Sequence, residues 1–367
     1  MSLAPFLVAW RTTPLHDREV IDALVDPAYA GPPLAPELQL ALRHWPGTYY
    51  WSNEPDGRHL VLTRPARRQR ETWLLHVLLF ALTLFLTTMS GAVIAGSLPA
   101  DLGVLFNPAA WDFRFFRAWA GGFAFSLPLM AILFSHEMGH YLTARRYQVN
   151  VSPPHFLPGP PMPIGIGTFG AFIRLRTILN DRRQLLDIGA AGPLAGFVIA
   201  LPVLWIGLAH SHPMSGPGLE AANLHIDTGW GVWPLGDSLI TWLLQHQLHV
   251  SGPIRLTPMG FAGWIGMLVT MLNLLPIAQL DGGHILYSAF PRAQRHVARI
   301  FWVIVVLLGY LSRSWFLWAF IVLVMSRGQF GHPPVLDAYR PLPRSRIWLL
   351  VASLLLFVLT FTPAPSP

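Results

Sequence analysis

The stretch FFRAWAGGFAFSLPLMAILFSHEMGHY, from Phe115 to Tyr141, places His136-Glu137-Met138-Gly139-His140 at the end of an apolar segment long enough to cross a membrane. On a helix the two histidines lie four residues apart, so both imidazoles project from one face toward a single metal ion. Glu137 stands beside them, placed to accept a proton from zinc-activated water. Each ionisable group costs about 2.5 to 3.5 kcal/mol to insert in an apolar span. Three within five residues therefore need compensation by a metal ion or by water, and the spacing of the two histidines favours zinc.

The composition supports a membrane protein, since 53% of the 367 residues are hydrophobic and 12% are charged. Cysteine is absent, which excludes disulfides, thiolate ligands and a cysteine nucleophile. All 25 basic residues are arginines, so lysine-based catalysis is excluded as well. A net charge of +7 would suit nucleic-acid binding, but the arginines border apolar spans instead of forming a basic face. No nucleic-acid partner is predicted.

Apolar runs bounded by arginines predict an all-α polytopic membrane protein with six to seven transmembrane helices and a cytoplasmic N-terminus. The predicted spans cover residues 73–98, 115–141, 185–210 and 258–290, followed by shorter runs at 300–311, 315–325 and 347–361. The arginine asymmetry holds at every span except at Arg313. Residues 211–234 lack arginine and indicate an outside loop. Residues 230–249 form either an interfacial helix or a further short span.

The first 70 residues lack an apolar span and indicate a small soluble region. Residues 48–51 and 59–63 flank Pro55-Asp56-Gly57, a pattern that predicts a β-hairpin. This region either regulates the protein or packs over the membrane-facing ends of the helices.

A third zinc ligand must come from elsewhere in the chain, and Asp281 is the best candidate. It follows Pro276, which frees a backbone carbonyl, and precedes Gly282 and Gly283, which let the chain bend. Broken helices at membrane depth usually line a cavity. The alternative is that Asp281 caps a helix at the membrane interface.

Three further polar residues need an interpretation. Asn273 either bonds a neighbouring helix or donates to a substrate carbonyl. His284 is expected beside the site or at the interface, because four protein ligands would leave no position for water. Asp187 is expected at a helix terminus and not at the metal.

Three separated motifs make the chain resemble the site-2 proteases, polytopic zinc metalloproteases that cut substrates within or next to their transmembrane helices. They are His136-Glu137-Met-Gly-His140, Gly192-Pro193-Leu-Ala-Gly196, and Asn273-Leu-Leu-Pro276 leading to Leu280-Asp281-Gly282. The resemblance implies His136, His140 and Asp281 as zinc ligands and Glu137 as the general base. It also implies that Asn273 contacts the substrate or the developing oxyanion. The small-residue motif at 189–196 is expected to pack closely on the histidine-bearing helix.

The resemblance divides the chain into a cytosolic N-terminal region (1–71), a zinc metalloprotease membrane core (72–290) and C-terminal transmembrane helices with a tail (291–367). About 60 residues separate Gly196 from Pro258, which leaves no room for a substrate-filtering PDZ domain. Residues 153–176 resemble the membrane-associated β-hairpin or re-entrant loop of chloroplast and cyanobacterial members. Its edge around Gly170, Ala171 and Phe172 either pairs with an unwound substrate or only closes the site against lipid.

The function implied is cleavage of peptide bonds within or near transmembrane segments by zinc-activated water. The expected substrate is a transmembrane protein in the lipid bilayer, such as a membrane-anchored regulator or a signal-peptide remnant. A bacterial inner membrane is the expected location. A catalytically silent scaffold of the same family remains an alternative, and so does a membrane metal carrier, although carriers tend to show repeated halves.

Overall fold

The computed structural model describes residues 3–14, 18–31, 34–65, 71–176, 179, 181–216, 219, 222–277, 279–333, 335 and 341–366. The chain divides into two units. The first comprises Met1–Glu71, Ala144–Ser152 and Arg174–Leu179, and the second comprises Thr72–Thr143, Pro153–Ile173 and Asn180–Pro367. Each unit is described by itself.

The N-terminal unit is built on a four-stranded antiparallel sheet in the order β1–β2–β4–β3. Its elements are β1 (Leu7–Pro14), β2 (Arg18–Val25), α1 (Pro27–Ala30), α2 (Pro36–Arg43), β3 (Tyr49–Glu54) and β4 (Gly57–Pro65). The predicted hairpin is present as β3 and β4, joined by Pro55 and Asp56. Leu38, Leu42, Leu60 and Leu62 form much of the buried core between α2 and the sheet. A unit of this size can therefore bury an apolar core of its own.

The second unit is mostly helical, and three helical segments among the described residues are long and apolar enough to cross a membrane. They are Trp73–Ile94, Phe113–Arg146 and Arg182–Ala209, and they contain most of the first three predicted spans. The elements up to this point are α3 (Trp73–Ile94), α4 (Leu102–Leu105), α5 (Phe113–Trp119), α6 (Phe123–Arg146), β5 (His155–Pro158), β6 (Thr168–Phe172) and α7 (Arg182–Ala209). Short 3₁₀ turns lie at Ala4–Phe6, Pro108–Ala110, Ala120–Gly122 and Arg344–Arg346.

A second four-stranded sheet lies where the sequence indicated only an outside loop. It comprises β7 (His212–Pro213), β8 (Leu224–Asp227), β9 (Val232–Leu235) and β10 (Ile254–Arg255), in the order β7–β10–β8–β9. The expectation of an all-α chain is therefore wrong for this segment. These strands are two to four residues long, so the alternation of apolar and polar residues is too short to detect in the sequence. They pair because their backbone groups need hydrogen-bond partners.

Residues 230–249 do not form the further short span that one interpretation allowed. They contain β9 and α8 (Leu239–Gln247), and a nine-residue helix is too short to cross a membrane. A capping box fixes its start, since the Ser238 hydroxyl accepts from the Thr241 backbone N–H and the Thr241 hydroxyl accepts from that of Ser238.

The fourth predicted span is broken into two helices. The C-terminal elements are α9 (Pro258–Asn273), α10 (Asp281–Ala289), α11 (Gln294–Leu308), α12 (Ser314–Met325) and α13 (Ile347–Thr360). Helices α11 and α12 pack together, with Trp302 Nε1 donating to the Ala319 carbonyl oxygen at 3.1 Å.

Helix α7 packs closely on α9, and this packing places the break between α9 and α10 beside α6. A Cβ atom at Gly207 would lie 2.2 Å from the Cα atom of Gly260 on α9. Small residues allow such contact between helices in lipid, where packing replaces the hydrophobic effect as the driving force. Farther along, Met267 of α9 belongs to the same buried core as Phe125 of α6 and Leu204 of α7. The end of α9 is thereby held at the level of the histidine motif.

Candidate metal centre

Two helices bring the predicted ligands together. His136 and His140 lie on α6, and Asp281 is the first residue of α10. The Nε2 atoms of the two histidines are 3.2 Å apart. Asp281 Oδ2 lies 3.2 Å from His136 Nε2 and 3.3 Å from His140 Nε2. Both imidazoles are buried, so the cluster is a compact group of three ligand atoms shielded from solvent.

The spacing of these three atoms fits a zinc ion. Ligands at about 2.0–2.1 Å from a tetrahedral zinc ion stand about 3.3–3.4 Å from one another, close to the three distances measured here. The donor set of two imidazoles and one carboxylate is also one that catalytic zinc sites use. Three protein ligands leave one tetrahedral position for water or substrate.

A backbone carbonyl of α7 sets the orientation of His140. Its Nδ1 donates to the carbonyl oxygen of Ile188 at 2.7 Å, which leaves the Nε2 lone pair facing the cluster. Gly192, one turn farther along α7, makes room for this ring, because a Cβ there would lie 2.0 Å from His140 Nε2. Gly196 similarly contacts the ring of His136. The small-residue motif therefore packs on the histidine-bearing helix, as predicted.

The break between α9 and α10 aims Asp281 at the histidines. Helix α10 begins at Asp281, and its N-cap residue Leu280 makes no side-chain cap. Asp281 is thus the first helical residue. The alternative interpretation required it to be the capping residue, which is Leu280 instead. Gly282 packs against the preceding turn so closely that a Cβ would lie 2.0 Å from the Leu274 carbonyl oxygen. This contact needs glycine, and it folds α10 back toward the end of α9.

Glu137 and Asn273 complete the cluster. The Glu137 side chain is buried next to the two histidines in the chain, and the backbone of Ile173 lies near its carboxylate. Asn273, the last residue of α9, places its amide nitrogen 3.3 Å from His136 Nε2. A carboxylate and an amide therefore stand next to the three ligand atoms, where a proton acceptor and a hydrogen-bond donor are needed for hydrolysis.

The predicted substrate-contact residues lie on β6, which pairs with β5 in an antiparallel ribbon. Gly170 faces Leu157, Ala171 faces Phe156 and Phe172 faces His155 across the pair. The side chain of Phe172 is exposed, and Ile173, the next residue, is the one that reaches Glu137. The end of β6 therefore leads directly to the carboxylate.

Asp187 is placed differently from the sequence expectation, whereas His284 lies beside the site, one of the two positions expected for it. Asp187 is not at the terminus of α7, because Asp181 is the N-cap and accepts from the Gln184 backbone. Asp187 instead binds Arg346, whose Nε and Nη2 lie 2.8 Å from its two carboxylate oxygens. His284 lies beside the site, and its Nδ1 is 2.6 Å from Nε2 of His332. No local pattern identifies either partner, since each lies far along the chain.

Comparison with known proteins places these residues in one family. The family model described as "Peptidase family M50" matches residues 124–312, just over half of the chain. Rice "Probable zinc metalloprotease EGY1, chloroplastic" is 30% identical over 236 residues, covering 64% of this chain and 39% of that protein. Arabidopsis thaliana "Probable zinc metalloprotease EGY2, chloroplastic" is 32% identical over 202 residues, covering 54% of this chain and 34% of that protein. No solved structure matches the chain.

The chain therefore spans less than half the length of these relatives. Both are named as chloroplast proteins of plants, so they lend no support to the expected bacterial inner membrane. Their shared name of zinc metalloprotease agrees with the donor set of His136, His140 and Asp281.

Proposed function

The chain belongs to peptidase family M50, and on that basis we propose that it is an intramembrane zinc metalloprotease that hydrolyses peptide bonds within or near transmembrane segments. The observation that carries the proposal is the convergence of His136, His140 and Asp281 beside Glu137. The zinc ligands would be these three residues, and the ligand helix α6 lies within a segment long enough to cross a membrane.

The proposed roles follow from the positions of the side chains. Zinc, when bound, supplies the Lewis acidity that makes water nucleophilic and polarises the scissile carbonyl. Glu137 accepts the proton of the attacking water and returns it to the leaving amine. Asn273 donates its amide N–H to the oxygen on which negative charge develops. The backbone of Ile173, the residue after β6, lies near this carboxylate.

We place the substrate along β6, with contacts at Gly170, Ala171 and Phe172. A helical substrate buries its scissile carbonyl in its own hydrogen bonds, so it must be extended before cleavage. Pairing with a strand edge supplies partners for the backbone groups that extension frees. The support for this position is that β6 ends one residue before Ile173, beside the proposed base.

The membrane arrangement we propose adds the later helices to the three long ones. The α9–α10 pair, the apolar hairpin α11–α12 and α13 would bring the number of transmembrane segments to six or seven. The arginine-rich ends of these segments and the N-terminus would then be cytoplasmic by the positive-inside rule. Candidate substrates are membrane-anchored regulators and signal-peptide remnants, both of which carry a single apolar helix in the bilayer.

The proposal is tested with purified wild type, Glu137→Gln and Asp281→Ala in detergent. Zinc content and cleavage of a reporter transmembrane helix are measured together. We expect Glu137→Gln to keep its zinc and Asp281→Ala to lose it, and neither to cut the reporter. Glu37→Gln, at an exposed position in α2, is the matched control and should cut normally. If the wild type binds zinc but cleaves nothing, a scaffold or a metal carrier would replace the protease.

A further inference from the structure

The segment that follows α12 returns to α10, the helix that carries Asp281. We infer that His332 is a positioning residue: through His284 it fixes the rotation of α10, so that the Asp281 carboxylate stays aimed at His136 and His140. The inference rests on the proposed metal centre. It concerns metal affinity first and cleavage second.

Helix α10 has little local support for its orientation. It is nine residues long and begins at Asp281 without a side-chain N-cap. Short helices are marginal on their own and depend on tertiary contacts. His284 lies three residues after Asp281, on the same side of the helix one turn away. A contact that holds His284 therefore also determines where the Asp281 carboxylate points.

His332 touches α10 at two points one turn apart. Its Nε2 lies 2.6 Å from Nδ1 of His284. Its ring stacks on Tyr287, with centroids 4.5 Å apart and planes 26° apart. Two contacts on successive turns resist rotation of the helix about its axis, which a single contact would not do.

The direction of the hydrogen bond follows from the other nitrogen of His332. Nδ1 of His332 contacts the carbonyl oxygen of Pro333, which can only accept, so Nδ1 carries the proton. Burial and the neighbouring His284 imidazole lower the pKa of His332 to about 4, which keeps the ring neutral at neutral pH. Its Nε2 therefore accepts, and Nδ1 of His284 donates.

Gln294 anchors the segment that carries His332. This side chain at the start of α11 is 1% exposed. Its Oε1 accepts from the backbone N–H of His332 at 3.0 Å, and its Nε2 donates to the carbonyl oxygen of Phe330 at 3.0 Å. Both polar atoms of this buried amide thus form hydrogen bonds with the backbone of one segment. These bonds hold the segment rigidly against α11.

On its opposite side His284 packs against α7. A Cβ at Gly189 would lie 3.1 Å from the Cβ of His284, and Ile188, the neighbouring residue, binds His140 through its carbonyl. His284 is therefore held between the helix that orients one ligand and the segment anchored by Gln294. Outer partners of this kind change metal affinity about 10- to 100-fold when removed.

The test compares His332→Phe, which keeps an aromatic ring on Tyr287 but removes the acceptor, with His332→Gln, which restores an acceptor near the position of Nε2. Zinc affinity of the purified full-length protein is measured by competition with a chelator. We expect about tenfold weaker binding or more for His332→Phe and binding within about threefold of wild type for His332→Gln. His296→Phe, at an exposed histidine of α11, is the matched control and should bind zinc normally.

Cleavage of a reporter helix provides the second readout. We expect His332→Phe to lower kcat with little change in KM, because the substrate does not touch His332. Normal zinc affinity and normal kcat in His332→Phe would overturn the inference. If His332→Phe does not elute as a folded protein, Gln294→Met, which removes the anchor, takes its place with the same expected and overturning results. A wild type that binds zinc but cuts nothing overturns the protease proposal alone, since the chelator competition decides the inference.

Discussion

Nδ1 of His140 lies 2.7 Å from the carbonyl oxygen of Ile188. A carbonyl only accepts, so the proton sits on Nδ1 and the Nε2 lone pair faces His136 and Asp281. A backbone group supplies this bond, so substitution of the Ile188 side chain would leave it in place. What can disturb it is a change in the distance between α6 and α7.

Gly192→Ala should abolish tight zinc binding, because the added methyl group would lie 2.0 Å from His140 Nε2. The ring would have to leave the Ile188 carbonyl or α7 would have to move away. We expect at least about a tenfold loss of zinc affinity, measured by chelator competition. Gly31→Ala, where an added Cβ meets nothing within 4 Å, is the control. Wild-type affinity in Gly192→Ala would show that His140 is not held at this position.

Phe172→Ser should weaken substrate binding while leaving the metal in place. Its ring is exposed at the end of β6, and losing about 1 kcal/mol of contact with the substrate raises KM about fivefold. KM and zinc content are the measurements. Phe113→Ser, at an exposed phenylalanine of α5, should leave KM unchanged. An unaltered KM in Phe172→Ser would favour the alternative in which the ribbon only closes the site against lipid.

Arg346→Gln should destabilise the second unit by about 1 kcal/mol, because it removes the two-point contact of Arg346 with the partly buried Asp187 carboxylate and leaves Arg183 at 3.9 Å. The pair ties the start of α13 to α7, next to Ile188. Unfolding in detergent is the measurement, and Arg344→Gln in the same 3₁₀ turn, at an exposed arginine, is the control. Equal stability of the two variants would mean that the ion pair contributes nothing measurable.

The N-terminal unit should lose stability as the pH rises. Both ring nitrogens of His59 face carboxylates, Asp22 at 2.7 Å and Asp56 at 3.1 Å, so both favour a protonated ring. The hydrogen bond to Asp22 is the main cause that raises the pKa of His59 above 6.5, and the Asp56 contact adds to it. The stabilisation is full below pH 6.5 and is lost as the pH rises through the raised pKa.

Thermal unfolding of the N-terminal unit within the full-length protein, followed from pH 5 to 9, checks this expectation. His59→Gln should remove the slope that the wild type shows in that range. A slope that persists unchanged in His59→Gln would assign the pH dependence to other groups.

The proximity of His136, His140 and Asp281 was predictable from the sequence because its signals are local. Four-residue spacing predicts that His136 and His140 share a helix face, and they do. Asp281 was identifiable because an acid next to Pro276, Gly282 and Gly283 in an apolar run is costly without a partner. Asn273 lies close to His136 because it belongs to the same broken segment as Asp281.

The outer part of the site was not predictable from pattern. The bond between His284 and His332 joins residues 48 positions apart, and the Asp187–Arg346 pair joins residues 159 positions apart. Asp187 was misplaced because Asp181, close before it, satisfies the same preference for a helix N-cap. The small sheet of β7 to β10 was missed since β10 pairs in parallel with β8 and antiparallel with β7, a topology that two-residue strands do not encode locally.

The contact of α6 with α7 has a consequence for inhibitors. A Cβ at Gly139 would lie 2.4 Å from the Ala191 carbonyl oxygen, whereas an extended peptide needs about 4.8 Å of separation from the backbone it pairs with. Helices α6 and α7 are therefore in direct contact at Gly139. An inhibitor has no space to bind between these two helices at that point. If the substrate lies along β6 as proposed, we expect peptidomimetics that copy an extended chain on the Ile173 side to bind better than compounds directed between α6 and α7.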